Sequence, residues 1–234
     1  MKNANLLSAL EAREAIEEGI LTSVELVEAC FERIDEVEES IGAWAHLDRE
    51  TALEQARQAD NFRRRGLPLG ALHGLPVGIK DIIDTSDYPT ERGSVIYQGR
   101  TPTTDATLVS LLREAGAIIL GKTVTTELAV YTPGKTRNPH NTDHTPGGSS
   151  SGSAAAVAAG MVALSVGTQT NGSVIRPASY CGVYGFKPSF ARISRSGIMT
   201  QSKPLDTVGV FARSLEDLAL ISDVLMRYDS QDND

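Results

Sequence analysis

Apolar residues first recur at helical spacing between Thr22 and Val37, where Leu26, Val27, Cys30, Phe31, Ile34 and Val37 share one face. Thr22 followed by Glu25 adds the pattern of a capping box, so an amphipathic helix is predicted here. Thr51 to Arg64 reads as a second helix that ends before Gly66 and Pro68. The period then changes. LPVGIKDII, residues 75–83, is short, apolar and preceded by Gly74, which predicts a buried strand with Lys80 near its end. A helix over Asp105–Ala115, a strand over AIIL at 117–120 and a helix opening near Thr123 come next. The alanine-rich run Ser153–Gly160 favours helix, MVALSVGTQ at 161–169 reads as another buried strand, and Val183–Phe186 as a third. A last helix runs from Ser214, its cap, to Met226. Strand, helix and strand in this order imply an α/β architecture with parallel pairing. We read one domain over 1–234: a helical region 1–66, an α/β core 67–226 and a polar tail 227–234.

Of the 234 residues, 41% are apolar and 22% charged, which excludes general disorder. The net charge of -8 excludes an extended phosphate-binding face, since such faces need clustered Lys and Arg. The basic cluster Arg63–Arg65 sits at a helix end, where cations suit the dipole. Cys30 and Cys181 are isolated, lie in apolar surroundings and read as buried thiols. Only His140 and His144 are close together among the four histidines, and their Pro- and Asn-rich segment is no helix, so no metal site is expected. The acidic N-terminal stretch lacks the apolar core of a signal peptide, and no run approaches about 18 apolar residues. A cytoplasmic protein without membrane contact is expected.

Two local motifs fail on context. GAIILGKT, 116–123, has the spacing of a phosphate loop, but its four central residues are the strand itself, and N–H groups engaged in a ladder cannot cradle phosphate. GSSSG, 148–152, has the spacing of a nucleophile elbow around Ser150, but NPHNTDHTP precedes it where a strand is required. The surrounding stretch PGGSSSGSAAAV, 146–157, is by composition either a tether or backbone arranged around a ligand at a helix entrance.

Three segments decide between these. HGLPVGIKD (73–81), PGGSSSGSAAA (146–156) and GTQTNGSVIRPASYCGVYGFKP (167–188), with TELA at 126–129, together resemble the amidase signature family of serine hydrolases. The resemblance implies a mixed β-sheet core flanked by helices. It implies hydrolysis of a carboxamide C–N bond through an acyl-enzyme, with Ser173 as nucleophile, Ser149 as a bridging serine after a cis peptide bond, and Lys80 as base. It places the oxyanion hole at Thr170, Asn171 and Gly172 and substrate contacts at Gly148 and Ser150. Arg176 and Asp206 look like supporting residues in structural pairs. Asn171 stands where the family has glycine. A lysine acts as base only when burial or nearby donors pull its pKa down. No metal or organic cofactor is implied; the expected ligand is a small amide, with no direct nucleic-acid contact.

Family members are about twice this long, so the chain resembles a truncated form, its N-terminal half. Missing sheet neighbours would expose apolar surface and call for a second copy or a complementary C-terminal chain. The same resemblance leaves two other functions open: a glutaminase-type subunit of a tRNA-dependent amidotransferase, and a catalytically deficient partner subunit.

Overall fold

In the computed structural model, residues 3–232 are described. Six strands form one mixed sheet: β1 (Trp44–Leu47), β2 (Pro76–Lys80), β3 (Ile118–Thr123), β4 (Leu164–Gln169), β5 (Tyr184–Phe186) and β6 (Thr207–Ala212). Their order is β1-β3-β2-β4-β6-β5; β2 pairs in parallel with β3 and β4, and the remaining neighbours are antiparallel. Every residue of β2, β3 and β6 is buried, as strands covered on both faces require.

The chain leaves β2 for β3 on one side and then returns across β2 to β4 on the other. Crossovers of one hand that run in opposite directions cover opposite faces of a sheet. Accordingly α4 (Thr107–Glu114), with α1 (Ala9–Glu17) and α7 (Leu215–Leu225), packs on Val77, Ile79, Ile119, Val166 and Val210. α2 (Ser23–Ile41), α3 (Arg49–Arg64) and α5 (Ser151–Ala158) share the second core with Trp44, Leu120 and Phe211. A short α6 (Ile175–Cys181) lies beside α5 and β5. The mixed α/β class is therefore as expected. Among the described residues, no helix is long and apolar enough to cross a membrane.

Thr22 and Glu25 form the expected capping box on α2, which ends in Gly42 at φ 63°. Ser214 caps α7 by accepting the Asp217 N–H. α5 is buried on nearly all sides, and its small residues permit this. A Cβ on Gly152 would lie 2.2 Å from the Ala43 carbonyl oxygen and 2.3 Å from the Val124 nitrogen. A Cβ on Gly167 of β4 would meet the Ser150 hydroxyl at 2.6 Å.

Several expectations change. No α-helix opens near Thr123: β3 runs through that residue, and only a 3-10 turn, Glu127–Ala129, comes after it, with Leu128 and Ala129 in left-handed conformations that stop propagation. The 161–169 strand begins at Leu164. The first 66 residues contribute the edge strand β1, and β6 and α6 are additional elements. Cys30 and Cys181 are free and buried, which pushes both thiols up to about 12. The tail is fastened as far as it is described: Asp229 accepts from Thr107 and Ser194 hydroxyls at 2.8 and 2.6 Å, and Asp232 pairs with Arg195 at 2.8 Å. Arg213 donates to the carbonyls of Asn5, Leu7, Val157 and Val162, joining the front of the chain to the end of α5 and the segment that leads into β4. Tyr184 and Phe186 on the sheet-edge strand β5, together with Val95, Ile96, Tyr131 and Tyr228, remain exposed.

Candidate active site

Parallel strands gather ligands beyond their carboxyl ends. β2 ends in Lys80 and β4 in Thr168 and Gln169. The Lys80 side chain is fully buried, and its Nζ donates to Ser149 Oγ at 2.7 Å and to Thr168 Oγ1 at 2.9 Å. Removal from water disfavours the ammonium and pulls Lys80 down to about 7; the Asp206 carboxylate opposes this only partly. Two neutral hydroxyls thus surround an amine that can be either charged or free near neutral pH.

Ser149 reaches Lys80 from the entrance to α5. Gly147 has φ 77°, and the Gly148–Ser149 peptide is cis, as expected from the resemblance. The loop is held on several sides. Thr126 N–H donates to Ser149 O at 3.1 Å, Ser150 N–H donates to Ser173 O at 3.4 Å, and the exposed Arg176 donates through Nε to Gly148 O at 3.2 Å. Ser150, expected to contact substrate, is fully buried; its hydroxyl donates to Thr168 O at 3.1 Å and accepts Thr168 N–H at 3.2 Å. PGGSSSGSAAAV is therefore wall and helix entrance, with no tether in it.

Ser173 lies in the turn between β4 and α6, 9% exposed. The turn is closed by Gln169, whose Oε1 accepts the N–H groups of Val174 and Ile175 at 2.9 and 3.0 Å. Thr170 donates to Asp206 and to Gln201, while Asp206 also accepts the Gln201 and Ser202 N–H groups at 2.7 and 2.9 Å. Asp206 is thus an anchor for the 200–206 loop. Asn171 is exposed and has negative φ, so its position makes no left-handed demand; Gly172 has room, the atoms nearest a hypothetical Cβ being those of Arg176 at 3.7 Å or more. A cavity of about 230 Å³ opens beside this turn, lined among others by Ile82, Thr168, Thr170, Met199 and Asp206.

Lys80, Ser149 and the Ser173 turn are brought to one end of the sheet, and Thr170 lines the adjoining cavity. Thr168 and Gln169 are contributors that sequence reasoning missed. Their only local sign is a pair of polar residues at the end of LSVGTQ, where backbone pairing ends and side chains must satisfy the N–H groups of the turn beyond it.

The profile of the family described as Amidase matches residues 25–234. The A subunit of the glutamyl-tRNA(Gln) amidotransferase of Chloroflexus aggregans is 44% identical over 99% of this chain and 49% of its own. The native peptide amidase from Stenotrophomonas maltophilia superposes with a TM-score of 0.92 at 36% identity, over 97% of this chain and 49% of that one. A chain from a vestigial protein complex that reveals the origins of an s-triazine catabolic enzyme superposes with a TM-score of 0.92 at 38% identity, over 97% and 51%. This chain spans about half the length of the relatives it matches. With a profile match over nearly all of its residues, the chain belongs to the amidase family, the amidase signature enzymes.

Proposed function

We propose that the chain carries the reaction centre of a carboxamide C–N hydrolase, with Ser173 as nucleophile, Ser149 as proton relay and Lys80 as base. The observation that carries this reading is the fully buried Lys80 amine donating at 2.7 Å to Ser149 and brought down to about 7. As the Ser173 oxygen bonds to the carboxamide carbon, its proton passes to Ser149 and that of Ser149 to neutral Lys80. The Lys80 proton returns along the same hydroxyl to the departing nitrogen, which leaves as ammonia or an amine. Water then attacks the acyl ester by the same relay and frees Ser173. A hydroxyl can relay because it donates and accepts at once. Backbone N–H groups of the 170–173 turn are the candidate donors to the oxyanion, worth roughly 3–4 kcal/mol each in such sites. Asn171 replaces a glycine in that turn and adds an exposed amide to it. Ser150 serves on this reading as a positioning residue for Thr168, and Gly148 as backbone at the substrate's edge.

A fluorophosphonate probe tests the assignment. Covalent labelling of the intact protein at Ser173, lost in Ser173→Ala, is expected; labelling that persists in Ser173→Ala overturns the nucleophile. The 44% identity to the A subunit of an amidotransferase favours a second reading, in which the amide is glutamine and ammonia passes to a companion chain. Glutamine hydrolysis that appears only with companion chains would select it over a stand-alone amidase.

A further inference from the structure

Lys122, the lysine of the rejected phosphate-loop pattern, is as fully buried as Lys80, and the proposed reaction leaves it idle. Ile79 faces Lys122 in the β2–β3 register and Lys80 faces Thr123, so the two lysines emerge on opposite faces of the sheet. Lys122 Nζ donates to Ile83 O at 2.8 Å, to Thr90 Oγ1 and, at 3.4 Å, to Pro89 O. The Asp81 carboxylate lies 3.7 Å away, only 2% exposed, and itself accepts the N–H groups of Glu91 and Gly93 at 3.1 and 3.2 Å. One ammonium thereby gathers the whole 81–93 excursion that begins at the residue after Lys80.

That excursion also carries the cavity wall. Ile83 bridges Ile198, Met199 N–H donates to Ile82 O at 3.1 Å, and Asp84 N–H donates to Gly197 O at 3.0 Å. Ile82, Ile198 and Met199 line the cavity beside Thr168 and Thr170. The hydrogen bonds of Lys122 go to residues 83, 89 and 90, so its influence on the 196–199 segment passes through residues 82–84.

We propose that Lys122 is a positioning residue: its ammonium acts as an internal cation that fixes the exit of β2, and with it Lys80 and the 196–199 wall of the substrate cavity. The role in catalysis rests on the Lys80 reading above, whereas the loop-fixing role does not. Burial lowers Lys122 to about 8, with Asp81 first, then Asp84 and Asp87, pulling upward and Arg100 downward. Asp84 is paired with Arg100, Asp87 with Arg113, and His46 with Glu91, which leaves Asp81 as the pairing partner of Lys122.

The test is Lys122→Met/Asp81→Asn, which removes both charges together because a lone buried charge would by itself unfold the loop. Amide exchange of the folded full chain is expected to quicken at least tenfold at Asp84 and Met199. The Lys80 side-chain NMR titration is expected to move away from its wild-type midpoint. Unchanged exchange at both amides overturns the loop-fixing role, and an unchanged Lys80 midpoint overturns the positioning role. Thr90→Val keeps both charges and covers the case of a double variant that does not fold: faster exchange at Asp84 supports the proposal, and wild-type exchange there overturns it. Absence of fluorophosphonate labelling in the wild type would count against the hydrolase reading and leave these readouts standing.

Discussion

A lysine that burial brings down to about 7 makes proton uptake the pH-dependent step of the proposed reaction. Only the uncharged amine accepts a proton, so acylation is expected to rise as pH climbs through about 7 and then level. The pH dependence of fluorophosphonate labelling measures this, and a rate that falls across that interval contradicts it. Lys80→Met and Ser149→Ala each remove a member of the relay, and labelling should slow by about 10²–10⁴-fold in either. Gln169 makes a separate prediction. Gln169→Leu strands the Val174 and Ile175 N–H groups in the turn, at about 1–3 kcal/mol for each donor left unpaired, whereas Gln169→Glu keeps an acceptor in place. Thermal denaturation should rank wild type above Gln169→Glu and Gln169→Glu above Gln169→Leu.

Among the elements, α5 tolerates little change. The added methyl of Gly152→Ala would press on backbone atoms of Ala43 and Val124, neither of which can rotate away. We expect a loss at or above the roughly 1–3 kcal/mol usual for overpacking, read as a lowered melting temperature or no folded protein. How much of the fold was legible in the sequence differs from element to element. Helices α2, α3 and α7 showed themselves because one face is apolar and the other wet; capping residues marked the starts of α2 and α7, whereas α3 begins two residues before the expected Thr51, at Arg49 after its cap Asp48. β2 and β3 showed themselves as short apolar runs. β6 did not, because Gly209 interrupts TVGVFA and its pairing with β4 is made across a long intervening stretch of chain. The helix expected near Thr123 failed because local preference for TELA yields to a left-handed pair at Leu128 and Ala129. Lys80, Ser149 and Ser173 were singled out through family-like segments; Thr168 and Gln169 escaped because a polar strand end was the only local sign of them, and it does not by itself distinguish an end that holds an amine from one that meets water.

Over the whole molecule, the buried lysines set the sign of the stability profile. Folded Lys80 titrates near 7 and Lys122 near 8, against an ordinary 10.5, so between those values the unfolded chain holds protons that the folded chain lacks. Each group then adds about 1.4 kcal/mol of stability per pH unit as pH rises from its folded value toward 10.5, and leaves the profile flat below that folded value. Relative to wild type, Lys80→Met should gain most below pH 7 and progressively less above it, a trend that urea titrations at several pH values would follow. A flat difference would show that the amine is as well solvated folded as unfolded.

Arg213 ties the front of the chain to the far end of α5: its guanidinium closes a ring through carbonyls at positions 5 and 7 on one side and 157 and 162 on the other. Trimming the leading residues past Leu7 would therefore do more than shorten a surface segment. It would strip two acceptors from an enclosed cation and loosen the far end of the very helix whose beginning presents Ser149, so that a cut made at the periphery is felt at the proposed reaction centre.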